Sequence, residues 1–501
     1  MTHRELLLGD EALALGALHA GLSGVYAYPG TPSTEITEYI QGHPLARERG
    51  VHCLWSTNEK TAMEEALGMS FAGKRALVCM KHVGMNVAAD AFVNSGMTGA
   101  NGGLVVVAAD DPSMHSSQNE QDSRFYGKFS FIPVFEPSSQ QEAYEMVQEA
   151  FEFSERHGIP VLMRLTTRMA HSRAVVEVRE PKAQNELHYP AQTRQWVLMP
   201  GNSRNRYKKL LEEYAACERE AVESRFNPCT EGSDTSMGII ACGIGYNYLM
   251  ENYPDGCPYP VLKISQYPVP AEQIRRMAEK CRSLLVIEEG QPLVEESLRG
   301  ILPAPLPIRG RMTGELPRTG ELTPDCVRAA LGLPPLEAHA ASEIVVPRPP
   351  ALCQGCGHRD MYTALKEVVE EFDHAKVFSD IGCYTLGWLA PFHAIDTCVD
   401  MGASITMAKG AADAGQHPSI AVIGDSTFTH SGMTGLLDAV NEKSPITIII
   451  SDNLTTGMTG GQDSAGTGRL EQICAGIGVE PEHIRVAVPV PRNREDMKRI
   501  T

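Results

Sequence analysis

Two short polar stretches close consecutive apolar runs: Ile423-Gly424-Asp425-Ser426 ends SIAVIGDS (419–426), and Asp452-Asn453 ends PITIIISDN (445–453). Runs of this kind predict buried strands, which would bring both stretches to one edge of a sheet. Ligands of open α/β sheets gather outside the carboxyl ends of the strands, where Gly424 permits close backbone approach and helix N-termini favour phosphate. Magnesium takes hard oxygen ligands in octahedral geometry and shares them among one or two carboxylates, phosphates and water. Asp425 and Asn453 suit that demand, a Thr455 carbonyl would complete the protein's share, and Ser426 stands beside them. The glycine-rich run TTGMTGGQ (455–462), with Gly457 and Met458 inside it, would let the chain wrap a diphosphate. Gly-Asp after a strand is common in plain turns; the spacing to Asn453 gives the pair its meaning.

A second chemistry-bearing feature is the C-x-x-C of Cys353 and Cys356 in CQGCGHRD (353–360). Such a pair can hold a metal or stay free, and no second pair completes a four-cysteine zinc site. Most other cysteines, such as Cys79 in RALVCMKHVG and Cys242 in GIIACGIG, read as small core residues of buried strands.

The elements that would position these residues follow an alternating α/β rhythm. In a first block, 1–185, buried parallel strands are expected at 24–32, 75–84, 103–112 and 158–167, with helices such as 58–73 between them. Residues 186–234 turn polar and irregular and read as a partly helical linker. A second block, 235–335, carries the runs 236–245, 259–265 and 282–290; prolines between Pro303 and Pro350 lead into a second linker at 336–350. The third block, 351–501, holds the runs 376–383, 419–426, 445–453 and 483–490, the last being HIRVAVPV.

A chain of 501 residues exceeds what one core supports, so several domains are expected. Its formal charge of −18 repels polyanions and argues against nucleic acid as a partner. No apolar run is long enough for a bilayer, and Glu5, Asp10 and Glu11 interrupt the leucines of the N-terminus, so neither a membrane span nor an export signal is expected. Thirteen scattered cysteines fit a reducing compartment, the cytoplasm.

The Gly-Asp-Ser to Asn pattern resembles the thiamine-diphosphate-binding motif. YPGTPSTEI (28–36) resembles the signature of the 2-oxoacid:ferredoxin oxidoreductases, and MKHVGMNVAAD (80–90), QDSR (121–124), CQGCGHRD, DIGCYTLG (380–387) and MGASITMAKG (401–410) match the indolepyruvate:ferredoxin oxidoreductase alpha subunits in order and spacing. The likeness covers essentially the whole chain. It implies two parallel-sheet domains of the thiamine-diphosphate type, pyrimidine-binding (1–185) and diphosphate-binding (351–501), flanking a smaller transketolase C-terminal-like domain. The coenzyme is then expected between the first and third blocks, across a dimer interface.

By the same resemblance, Glu59 on the helix after Asn58 is the carboxylate that activates the aminopyrimidine, and Thr31 lies close to coenzyme and substrate. Gly382, Gly402, Ala403, Ser404 and Ile405 join Gly424, Asp425, Ser426, Asn453, Thr455, Gly457 and Met458 as coenzyme contacts. His82 is a candidate catalytic group, with Asn86 and the guanidinium of Arg124 as substrate contacts. Cys353, Cys356 and Cys383 are expected on a [4Fe-4S] cluster, which needs thiolates. The implied reaction is oxidative decarboxylation of an arylpyruvate such as indolepyruvate, with coenzyme A taking the acyl group and ferredoxin the electrons. A smaller beta subunit is the implied partner, in an alpha dimer or an alpha2beta2 assembly.

In relatives a fourth cluster cysteine follows the last strand of the diphosphate domain, and a ferredoxin-like tail often comes after it. The sequence reaches Thr501 before either; Cys398 and Cys474 are the possible substitutes. Two other readings stay open at this point: a non-oxidative 2-oxoacid decarboxylase with the same Glu59, Asp425 and Asn453, and a non-catalytic subunit that keeps the fold.

Overall fold

The computed structural model describes residues 3–190, 193–337 and 340–500. The chain forms two compact units, Met1–Ala338 and His339–Thr501.

The first unit holds a six-stranded parallel sheet in the order His52–Trp55, Gly24–Ala27, Ala76–Lys81, Leu104–Asp110, Val161–Thr166, Val134–Phe135. Its central strands are buried on both faces, which is why they read as unbroken apolar runs. The period of two still sorts their side chains: Leu77, Cys79, Val105, Val107 and Met163 enter one core, whereas Val78, Met80, Val106, Ala108 and Leu162 enter the other. A two-stranded antiparallel ribbon, His3–Leu8 with Arg173–Val178, adjoins it.

A second sheet in the same unit runs Ile308–Arg309, Leu284–Ile287, Gly238–Cys242, Val261–Ile264, with a short antiparallel strand Cys229–Thr230 at its edge. Between the two sheets in sequence lies one 24-residue helix, Pro200–Glu223, opened by proline at its first turn and burying only Leu210, Cys217 and Ala221.

The second unit is built on four parallel strands ordered Thr397–Cys398, Lys376–Ser379, Ser419–Gly424, Thr447–Ser451. The strand expected at 483–490 is absent: Val486 and Val488 are exposed, and among the described residues no strand pairs with the segment. Pro489 and Pro491 carry no amide hydrogen, so the segment cannot donate to a ladder at alternate positions of its end. The edge is instead the two-residue strand Thr397–Cys398, too short to show as a pattern. Among the described residues, no helix is long and apolar enough to cross a membrane.

Candidate functional site

In the second unit the chain turns into a helix directly after Gly424, leaving Asp425 buried at the strand's end with its Oδ2 unpartnered among the described residues. Burial pushes this carboxyl above the usual carboxylate range, and the neighbouring Asp452 charge adds to the push. The amide end of Asn453 lies 3.1 Å from Asp425 Oδ1 and 2.7 Å from the Thr455 carbonyl oxygen. Both neighbours are acceptors, so without a cation the amide nitrogen faces them as donor. A cation here would be held by Asp425, by the Asn453 amide oxygen turned inward and by the Thr455 carbonyl oxygen. Octahedral magnesium with bonds of about 2.1 Å spaces adjacent ligand oxygens by about 3 Å. The donor set and its spacing therefore fit Mg2+.

Backbone conformation sustains this convergence. Leu454, between the two ligands, adopts a φ of 64°, a strained value for leucine. The following residues form a tight hairpin, Thr455–Thr456 against Gln462–Asp463, and Ser426 and Thr456 hydroxyls meet at 2.9 Å to join the two strand ends. Met458 stands exposed on the hairpin.

The three cysteines expected on a cluster share this neighbourhood. A side chain at Gly457 would meet Cys383 Sγ at 3.2 Å. Burial raises the Cys383 thiol, followed by the Cys356 and Cys353 thiols and the Asp425 carboxylate, which places all of them within electrostatic reach. Cys356 Sγ also lies 3.2 Å from His358 Nδ1. Among the described residues the three sulfurs do not converge on one point as zinc ligands must; separate irons of a cluster suit a wider spread. Cys398 turns its thiol to the Asp380 carbonyl at 3.6 Å, and Cys474 packs in an apolar cluster with Ile405 and Phe428.

In the first unit, Glu59 is the first residue of helix Glu59–Phe71, whose start is capped by Asn58 accepting from Thr61 N at 2.8 Å. Glu59 is buried at this helix start. Gly84, on helix His82–Thr98, leaves the room it occupies: a Cβ at Gly84 would lie 2.7 Å from both Cγ and Oε1 of Glu59. Thr31 sits in the loop after strand Gly24–Ala27, held by Ser33 Oγ donating to Gly30 O at 2.8 Å and Gly30 N donating to Thr34 Oγ1 at 3.0 Å. Asn86 accepts from the Tyr126 hydroxyl at 2.6 Å. His82 is fully buried; its Nε2 lies 3.1 Å from Asn119 O and 3.2 Å from Asn119 Oδ1.

Arg124 requires a correction. Expected as a substrate contact, it is buried with every donor engaged: Nε on Asp122 Oδ1 at 2.9 Å, Nη1 on Glu288 Oε2 at 3.0 Å and on Tyr267 Oη at 3.2 Å, Nη2 on the carbonyls of Glu289 and Gln291 at 3.1 and 2.8 Å. Arg164, paired with Asp110 at 2.5 Å, extends the network. These pairs lock the two sheets of the first unit together, and a guanidinium so committed has none left for a substrate carboxylate.

Residues 15–221 match the domain family described as "Pyruvate flavodoxin/ferredoxin oxidoreductase, thiamine diP-bdg", and residues 380–487 match "Thiamine pyrophosphate enzyme, C-terminal TPP binding domain". The chain is 40% identical to indolepyruvate oxidoreductase subunit IorA of Archaeoglobus fulgidus, over 97% of this chain and 83% of that one. It is 37% identical to the subunit of the same name from Methanothermobacter thermautotrophicus, over 98% and 84%. The chain belongs to the indolepyruvate oxidoreductase subunit IorA family. A solved 2-oxoglutarate:ferredoxin oxidoreductase from Magnetococcus marinus, with 2-oxoglutarate, coenzyme A and succinyl-CoA bound, shares the fold at a TM-score of 0.53 and 16% identity, over 66% of this chain and 65% of that one.

In this IorA-family chain the two matched regions contain Glu59 and Asp425 respectively. Three further residues, two in the second unit and one in the first, adjoin expected site residues of their own unit and were not singled out from the sequence. Asp380 is buried and accepts from Gly402 N at 2.8 Å, Ser404 N at 3.2 Å and the Ser404 hydroxyl, which fixes the Gly402–Ile405 turn; burial holds its carboxyl up at about 6. Gly402 there has a φ of 100° and would drive a Cβ to 2.6 Å from Ser431 Cβ. Tyr384 wedges its ring between Gly382 and Gly424, donating to Ile381 O at 2.9 Å. Lys81, at the end of strand Ala76–Lys81 beside Gly30, is pushed down to about 8 by burial while donating to Ser116 O at 2.7 Å. The aspartate that opens DIGCYTLG could have been flagged as a strand-end carboxylate; Tyr384 and Lys81 lie within the quoted motifs, but neither their type nor their spacing singles them out.

Proposed function

We propose that this chain is the thiamine-diphosphate-bearing subunit of an oxidative 2-oxoacid decarboxylase that uses an arylpyruvate such as indolepyruvate, coenzyme A and ferredoxin. The observation that carries the proposal is the convergence of Asp425, Asn453 and the Thr455 carbonyl, one oxygen of Asp425 lacking a partner among the described residues, beside three cysteines. Thiamine diphosphate, when bound, supplies a ring carbon that adds to a ketone carbonyl and an electron sink for the bond lost with carbon dioxide.

The chain's own residues divide the remaining work. Asp425, Asn453 and Thr455 would hold Mg2+ and through it the diphosphate, while Gly457 and Ser426 keep the hairpin close. Glu59, buried and confined by Gly84, would exchange a proton with a ring nitrogen of the aminopyrimidine. The Thr31 loop, stiffened by Ser33 and Thr34, orients the substrate. Cys353, Cys356 and Cys383 would ligate iron and give electrons a route away, which favours the oxidative reading over simple decarboxylation to an aldehyde. A smaller beta subunit completes the enzyme, in keeping with the subunit names of the relatives.

Anaerobic assay of the chain with its beta subunit tests this: indolepyruvate should reduce a viologen dye only when coenzyme A is present, faster than pyruvate or 2-oxoglutarate does. Aldehyde release without dye reduction would establish the non-oxidative alternative instead.

A further inference from the structure

Asp10, Glu35 and His171 come from three separate elements: the first turn of helix Gly9–His19, the first turn of helix Thr34–Gly42 and the end of helix Thr167–His171. One ligand atom of each lies within 4.8 Å of the others. Glu35 Oε1 and His171 Nε2 are 3.4 Å apart. Asp10 is fully buried, and neither of its oxygens has a partner among the described residues; Glu35 Oε2 is likewise buried and unpartnered.

A buried carboxylate without a hydrogen bond is strongly disfavoured unless it is neutralised or paired. Among the described residues no lysine or arginine pairs with Asp10 or Glu35. His171 is the one group of the cluster that can carry positive charge, and it faces Glu35 rather than satisfying Asp10. Glu11 is itself occupied by the Leu8 amide at 2.8 Å.

The donor set identifies the missing partner's class. One imidazole nitrogen with two carboxylate oxygens suits zinc and its first-row neighbours, not magnesium or calcium. A tetrahedral ion with bonds of about 2.0 to 2.1 Å separates its ligands by about 3.3 Å, close to the Glu35–His171 spacing. His171 is partly exposed, so water can reach the remaining position.

We propose that Asp10, Glu35 and His171 bind a divalent transition metal of the zinc class, at a site distinct from Asp425 and Asn453. The ion would clamp the loop that carries Thr31, because Glu35 stands in the first turn of the helix into which that loop runs. The proposal does not depend on the reaction assigned above.

The test uses the full chain carrying Cys353→Ser, Cys356→Ser and Cys383→Ser, so that those thiols take up no zinc. After chelation it is equilibrated with zinc in excess magnesium, and bound zinc is counted by atomic absorption. Parent protein should retain one zinc per chain and rise in Tm with zinc. Glu35→Gln and His171→Ala, both at partly exposed side chains, should lose that zinc and that rise while keeping their circular dichroism. Cobalt in place of zinc should give visible bands of a tetrahedral nitrogen–oxygen site in the parent alone. A parent that binds no zinc, or variants that bind as much as the parent, would overturn the proposal. Should one variant fail to fold, the other decides the outcome.

Discussion

Replacing Gly84 by alanine should silence the enzyme while leaving the fold intact. The added Cβ would stand 2.7 Å from Glu59 Cγ and Oε1, and an ordinary contact begins near 3.4 Å. The carboxylate must therefore retreat by about 0.7 Å, against a buried surround that gives it little space. Misplacing a reacting group by about 1 Å can cost about 100-fold in rate, or roughly 2.7 kcal/mol of barrier. Stability responds differently. Alanine gains about 1 kcal/mol over glycine inside a helix, which offsets part of the roughly 1 to 3 kcal/mol of overpacking. Coenzyme-A-dependent viologen reduction with indolepyruvate should fall by roughly 30- to 100-fold, while urea unfolding shifts by no more than about 2 kcal/mol. Glu59→Gln provides the reference for complete loss of the carboxylate. Activity of Gly84→Ala within about threefold of wild type would refute the idea that Glu59 works from a position Gly84 defines.

Three further outcomes follow from the same geometry. Arg124→Met should destabilise the first unit by about 3 to 5 kcal/mol in urea melts, because it strands buried carboxylates, with no selective rise in KM; a raised KM at unchanged stability would restore the substrate role that the structure removes. Asp380, held up at about 6 by burial, keeps a proton in the folded chain at pH values where the unfolded chain has released it. Stability should therefore decline as pH rises through roughly 4 to 6, and Asp380→Asn should flatten that dependence; equal slopes in the two proteins would contradict it. Cys383→Ser should lower the iron retained after anaerobic reconstitution, and unchanged iron would remove Cys383 from the cluster.

Much of the α/β architecture was legible because parallel strands buried on both faces leave continuous apolar runs, as 103–112 and 158–167 did. Short or half-exposed strands carry no such mark: His52–Trp55, Val134–Phe135 and Thr397–Cys398 gain their conformation from neighbours in the sheet. HIRVAVPV misled for the converse reason, being apolar and β-branched with no strand to pair with among the described residues. At the candidate site, Asp425 and Asn453 were readable as neighbours because each closes an apolar strand run, and the structure brings the Asn453 amide to 3.1 Å from Asp425 Oδ1. Arg124 was misassigned because a guanidinium that binds a carboxylate looks the same in sequence whether the carboxylate is a substrate's or that of Asp122 and Glu288. Gly84 and Tyr384 act by the space they leave or fill, which no local pattern records.

Everything assigned to the second unit depends on its holding a divalent ion through Asp425, Asn453 and Thr455. The most direct test is crystallography of the chain with thiamine diphosphate and Mn2+, located by anomalous scattering. Manganese bonded to Asp425, to the Asn453 side-chain oxygen and to the Thr455 carbonyl at about 2.2 Å is the predicted result. Manganese elsewhere, with the Asn453 nitrogen still facing Asp425, would contradict it.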